Sequence, residues 1–154
     1  MADGGAITLS GDQVTRDFVQ PDPEQVRRGE ALAERVRALL PTIAANAGKA
    51  EADRRVPDEN IALLKEAGFT RALQPLAYGG LELSPEQYCP LIVDLAGACA
   101  STAWVAGLLA QHVHGLALMS KEAQEEVWAD PHALLSSSVA PINEGKPVKG
   151  GVRL

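Results

Sequence analysis

The chain has 154 residues, and a single domain of roughly 100–150 residues is the common size for one hydrophobic core. Its residues are 46% hydrophobic and 22% charged, with a formal net charge of -6. That is the balance of an ordinary folded chain. No dense patch of Lys and Arg is present, so a nucleic-acid partner is not expected.

The opening MADGGAITLSGDQVTRD lacks the basic start and apolar run of a secretory signal. Residues 1–23 therefore read as a flexible leader, and the protein as cytoplasmic. Residues 24–50 place Val26, Ala33, Val36, Leu40 and Ile43 on one face of a helix, which Pro41 is positioned to kink or interrupt. After the Val56-Pro57 break, Asp58 serves as a cap or an early helical acid. A short helix follows with Ile61, Leu64 and Ala67 on one side, and Gly68 stands where a helix commonly ends at positive φ.

Residues 75–83, with Gly79 and Gly80 adjacent, read as a loop. Ser84 and Pro85 then form an N-cap and first helical residue for a helix running to about Cys99, with Tyr88, Leu91, Ile92 and Leu95 as its apolar residues. Ser101 or Thr102 starts the most apolar segment, residues 101–119. Gln111, His112 and His114 within it favour a buried core helix over a membrane span, and no membrane association is expected. Ser120 caps KEAQEEVWAD, which Pro131 stops. From there the character changes: ALLSSSV (133–139) predicts a strand, Pro141 to Gly145 a turn, and KGGVRL (149–154) the start of another strand. Residues 24–130 are thus expected to form a helical domain, and residues 131–154 the truncated beginning of a β domain.

Cys89 and Cys99 lie in hydrophobic stretches and read as reduced core thiols, with a disulfide or a reactive thiol as the alternative. His112 and His114, two positions apart on a helix, point to different faces and do not make a one-face metal pair; no metal site is expected. Either they are hydrogen-bonded core histidines, or one faces a ligand cavity where an imidazole can accept a phenolic proton. Ser136, Ser137 and Ser138 suit either a heteroatom-rich ligand or a polar strand edge. Trp104 and Trp128 suit either cofactor stacking or packing. No GxSxG, GxGxxG or GxxxxGK[ST] motif is present, which sets aside serine hydrolase, Rossmann and P-loop chemistry.

Taken in order, AGF, the YGG loop, CASTAW and SSSVAP resemble the N-terminal half of the acyl-CoA dehydrogenase superfamily over residues 24–154. In that superfamily a helical domain is followed by a β domain and a C-terminal helical bundle. The fold implied is mainly α: an acyl-CoA dehydrogenase-like N-terminal helical domain followed by the start of a β domain. CASTAWVAGLLAQHVHG and LLSSSVAP are more similar to the flavin-dependent aromatic monooxygenase branch than to the dehydrogenases. Val139-Ala140-Pro141 stands where dehydrogenases usually carry a TEP-type sequence.

The resemblance implies hydroxylation of an aromatic or phenolic substrate with O2 and reduced FMN or FAD, supplied by a separate flavin reductase, in a homotetramer or other homo-oligomer. It places His112 at the phenolic substrate as the catalytic residue, Ser138 at the substrate–flavin boundary, Ser137 and Val139 on the flavin ring, and Trp104 in the wall of the substrate pocket. Other residues expected of that branch's site, a later flavin loop and a C-terminal histidine, do not occur in these 154 residues. The competing expectations are an acyl-CoA dehydrogenase-type FAD oxidoreductase and a non-catalytic helical interaction module.

Overall fold

The computed structural model describes residues 22–137 and 144–153; the leader expected over residues 1–23 lies almost entirely outside them. Helix α1 spans Pro23–Ala45, with the Asp22 side chain accepting the N–H of Glu24 at its start. Pro41 does not break it. The ring removes one hydrogen bond in the last turn, but Pro41 is exposed and the freed carbonyl can be hydrated, so the break falls at Asn46. Short helix α2 (Ala47–Ala52) follows.

Helix α3 (Asp58–Ala67) starts with Asp58 as its first helical acid, Pro57 being the cap, and ends at Gly68 with φ 90°, as the sequence predicts. Two 3-10 turns, Phe69–Arg71 and Leu76–Tyr78, carry the chain through the glycine loop. Helix α4 (Pro85–Ala98) opens on a reciprocal capping box between Ser84 and Gln87. Cys99 is extended and breaks the chain between α4 and α5 (Ala100–Ala117). Helix α6 (Lys121–Val127), capped by the Ser120 hydroxyl, stops four residues before Pro131.

The core lies where α1, α3, α4 and α5 meet. Leu32, Val36 and Ile43 of α1 pack with Leu64 of α3, Phe69, Tyr88, Leu91 and Leu95 of α4, and Ala103, Ala106 and Ala110 of α5. Alanines on α5 let neighbouring helices approach closely, and Phe69 and Tyr88 stack with ring centroids 5.5 Å apart. A buried polar chain crosses this core: Asn46 donates to Asn60, Asn60 to Thr102 and Thr102 to Cys99 Sγ, at 2.8, 3.0 and 3.2 Å. Of the two thiols expected in the core, only Cys99 is buried. Cys89 is exposed, because α4 turns that face of its apolar stretch outward, and both are free.

Two further expectations are corrected. Residues 133–137 join no strand, although 133–139 was read as one; residues 138 and 139 lie outside the described residues. A strand needs a neighbour to take its carbonyls, and here the Leu135 carbonyl goes to a histidine ring instead. A tight turn falls at Lys149-Gly150, inside the run 149–154 expected to start a strand, while the turn expected over 141–145 lies largely outside the described residues. Strands β1 (Lys146–Val148) and β2 (Gly151–Arg153) pair antiparallel across it, with Val148 opposite Gly151 and Gly150 at φ 87°. Among the described residues, no helix is long and apolar enough to cross a membrane.

Candidate functional site

His112 and His114 stand near the end of α5, and the helix separates them as their spacing predicts: His112 is half-buried and His114 exposed. Beneath His112 lies a second, smaller hydrophobic cluster, with Val113, Leu116 and Trp128 buried and Leu73, Tyr78 and Leu135 packed against them. Trp128 stacks on Tyr78 at 4.6 Å between centroids.

Leu135 belongs to the segment that leaves α6. Past Pro131 the chain turns sharply, the Asp130 carboxylate accepting the N–H of His132 at 2.8 Å and its carbonyl that of Ala133 at 3.0 Å. The segment then runs alongside α5, anchored by burial of Leu135. This places two oxygens on the two ring nitrogens of His112. The Leu135 carbonyl lies 3.1 Å from Nδ1 and the Ser137 hydroxyl 2.9 Å from Nε2.

These contacts assign the protons. A carbonyl oxygen only accepts, so Nδ1 carries the hydrogen and donates it to Leu135. In the neutral ring Nε2 is then a lone-pair acceptor, and the Ser137 hydroxyl donates to it. Ser137 is exposed, with acceptor capacity left on Oγ for a second partner. The arrangement is a backbone-oriented imidazole that reaches the surface through a serine hydroxyl.

The structure brings together His112 and Ser137, and sets Trp104 apart from them. Trp104 is two turns earlier on α5, about 12 Å along the axis at 1.5 Å per residue, and 72% exposed. Its indole walls a cleft of about 790 Å³ with Arg54, Arg55, Ser101 and Val105. On its other side it borders a shallower groove of about 400 Å³ between α4 and α5, with Tyr88, Ile92, Gly107 and Leu108. Ser138 and Val139 lie outside the described residues. The Leu135 carbonyl was missed from sequence because a backbone acceptor 23 residues away leaves no side-chain signal.

A family model described as the acyl-CoA dehydrogenase N-terminal domain matches residues 27–134. The chain is 52% identical over 127 residues to the oxygenase component of p-hydroxyphenylacetate 3-hydroxylase from Acinetobacter baumannii, covering 82% of this chain and 30% of that protein. It is 42% identical over 119 residues to the oxygenase subunit of a flavin-dependent monooxygenase from Rhodococcus jostii, covering 77% and 31%. The chain thus spans under a third of the length of these curated relatives. Among solved structures, 3-HSA hydroxylase from Rhodococcus sp. RHA1 superposes with a TM-score of 0.76 at 41% identity, over 79% of this chain and 32% of the other. XiaF from Streptomyces sp., solved in complex with FADH2 and glycerol, gives 0.79 at 27% identity, over 84% and 33%.

Proposed function

Since the chain belongs to the acyl-CoA dehydrogenase N-terminal domain family, we propose that it is the N-terminal part of a flavin-dependent monooxygenase that hydroxylates an aromatic or phenolic substrate with reduced flavin and O2. In this reading residues 24–130 are the helical domain and 131–154 open the β domain. A separate reductase supplies reduced FMN or FAD, the protein is a homo-oligomer, and its setting is cytoplasmic. The names of the oxygenase relatives support it, but the observation that carries it is the His112–Ser137 pair.

The pair can take a proton from a phenol. With the substrate hydroxyl on Ser137 Oγ, its proton passes to Oγ while the serine proton passes to His112 Nε2. The ring becomes imidazolium, its Nδ1–H still held by Leu135, and the substrate becomes phenolate. A phenolate is far richer in ring electron density than a phenol, so the ring carbon is prepared to accept oxygen. General-base help of this kind typically contributes roughly 10²–10⁴ in rate.

The donors also suit a flavin. Ser137 is exposed and joins no strand, so its hydroxyl and backbone are available to a ring edge. Ser137, Ser138 and Val139 would hold the isoalloxazine ring, and Trp104 would shape the pocket. The flavin supplies the oxygen-activating redox chemistry when bound.

Anaerobic equilibrium binding of reduced and oxidised FMN and FAD tests this reading. Tighter binding of a reduced flavin than of its oxidised form supports it. Retained oxidised FAD that an acyl-CoA thioester reduces would replace it with a dehydrogenase, and absence of binding to any flavin with an interaction module.

A further inference from the structure

Ser136, Ser137 and Ser138 form a run with no internal register signal, and among the described residues it is the Ser137 hydroxyl that meets His112. A slip of one residue along the chain would carry Ser137 off the ring nitrogen that it meets at 2.9 Å. Burial of Leu135 gives attraction without fixing position along the chain. The register needs a directional anchor upstream, and Gln74 provides one.

Gln74 is fully buried, and its Nε2 donates to the Tyr78 carbonyl at 2.6 Å and to the Pro131 carbonyl at 3.2 Å. The residue is itself held from the loop side. Its carbonyl accepts the N–H of Glu82 at 2.9 Å, its N–H goes to Arg71, and the Gly80 backbone passes directly over it. The primary amide therefore ties the glycine loop to Pro131, six residues before Ser137. An apolar side chain of the same length fills the space without donating, and a carboxylate would face two carbonyls with acceptors only.

We propose that Gln74 is a positioning residue for the His112–Ser137 pair, setting where residues 131–137 begin and hence whether Leu135 O and Ser137 Oγ meet the two ring nitrogens. This rests on His112 as the proton acceptor of the substrate site. Proton transfer through that pair then depends on a buried glutamine beside the glycine loop.

The test is nitrogen NMR of the 154-residue chain, which reads the His112 tautomer without flavin or turnover. The parent is expected to show a protonated Nδ1, a bare Nε2 and a Ser137–His112 contact. In Gln74→Met the single tautomer gives way to an averaged ring signal and that contact is lost, whereas Leu91→Ala, a destabilising core change elsewhere, leaves both intact. A Gln74→Met ring unchanged from the parent overturns the positioning role. A parent without the Nδ1–H tautomer overturns the reading of His112 itself. Should the methionine variant not fold, the unaltered chain still decides: a scalar coupling from Gln74 Nε2 to the Pro131 carbonyl carbon supports the anchor, and its absence overturns it.

Discussion

Replacing Gly80 with alanine tests the tightest surroundings met by any glycine among the described residues. An added Cβ would lie 1.9 Å from the Gln74 carbonyl oxygen and 2.3 Å from its carbon, both backbone atoms, so no side chain can swing aside. The loop must open by more than an ångström. That breaks or stretches the bond from Glu82 N–H to the Gln74 carbonyl, now 2.9 Å, and strains its neighbour from Gly80 to Pro75 at 3.1 Å. Two weakened bonds at about 1 kcal/mol each, with overpacking of about 1–3 kcal/mol, give a loss of about 3–5 kcal/mol. At roughly 2–4 °C per kcal/mol for a chain of this size, melting falls by roughly 10 °C in far-ultraviolet circular dichroism. Gly97→Ala is the control: nothing lies within 4 Å of its added methyl, and a helical alanine gains about 0.5–1 kcal/mol. If Gly80→Ala melts within about 2 °C of the parent, the close approach and its consequences are refuted.

Asn60→Leu, which removes one partner each from half-buried Asn46 and buried Thr102, should cost about 1–3 kcal/mol in denaturant unfolding, and adding Thr102→Val should cost less than the sum of the two changes. Burial, and secondarily the neighbouring Cys89, pushes the Tyr88 phenol well above its ordinary range. An unfolded tyrosine ionises near ~10 while the buried one does not, so stability is fully present below that pH and falls as pH rises toward the folded value; Tyr88→Phe should flatten that alkaline loss in urea titrations. Cys89 should label with a thiol reagent in the native state and Cys99 only after unfolding. Ser137→Ala and His112→Asn should each slow phenol hydroxylation by about 10²–10⁴ while leaving the melting curve nearly unchanged, measured by product formation and calorimetry.

Local chemistry made the helices legible. Gly68 at positive φ and the Ser84-Pro85 start are set by residues within a turn of each other, and both stand where the sequence puts them. The interruption at Pro41 and the burial of Cys89 failed for a shared reason: both depend on which side of the helix faces water, and a short apolar stretch does not say. Of the strand expected over residues 133–139, the described part, 133–137, is not strand, because strand formation belongs to a pair and the Leu135 carbonyl is taken by His112. At the site, His112 was visible as an imidazole in an apolar helix. Its bond to Ser137, 25 residues away, and the Gln74 anchor, 57 residues from Pro131, arise only when the chain folds.

The central claim is oxygen transfer to a phenolic ring, and isotopic labelling tests it most directly. The protein would be mixed anaerobically with reduced FMN or FAD and a panel of phenols, then exposed to ¹⁸O₂, with products read by mass spectrometry. The account predicts a hydroxylated phenol whose added oxygen is ¹⁸O, formed with the parent and strongly reduced in Ser137→Ala. Oxidation of both flavins at their free rates, with no labelled phenol from any substrate, would contradict it.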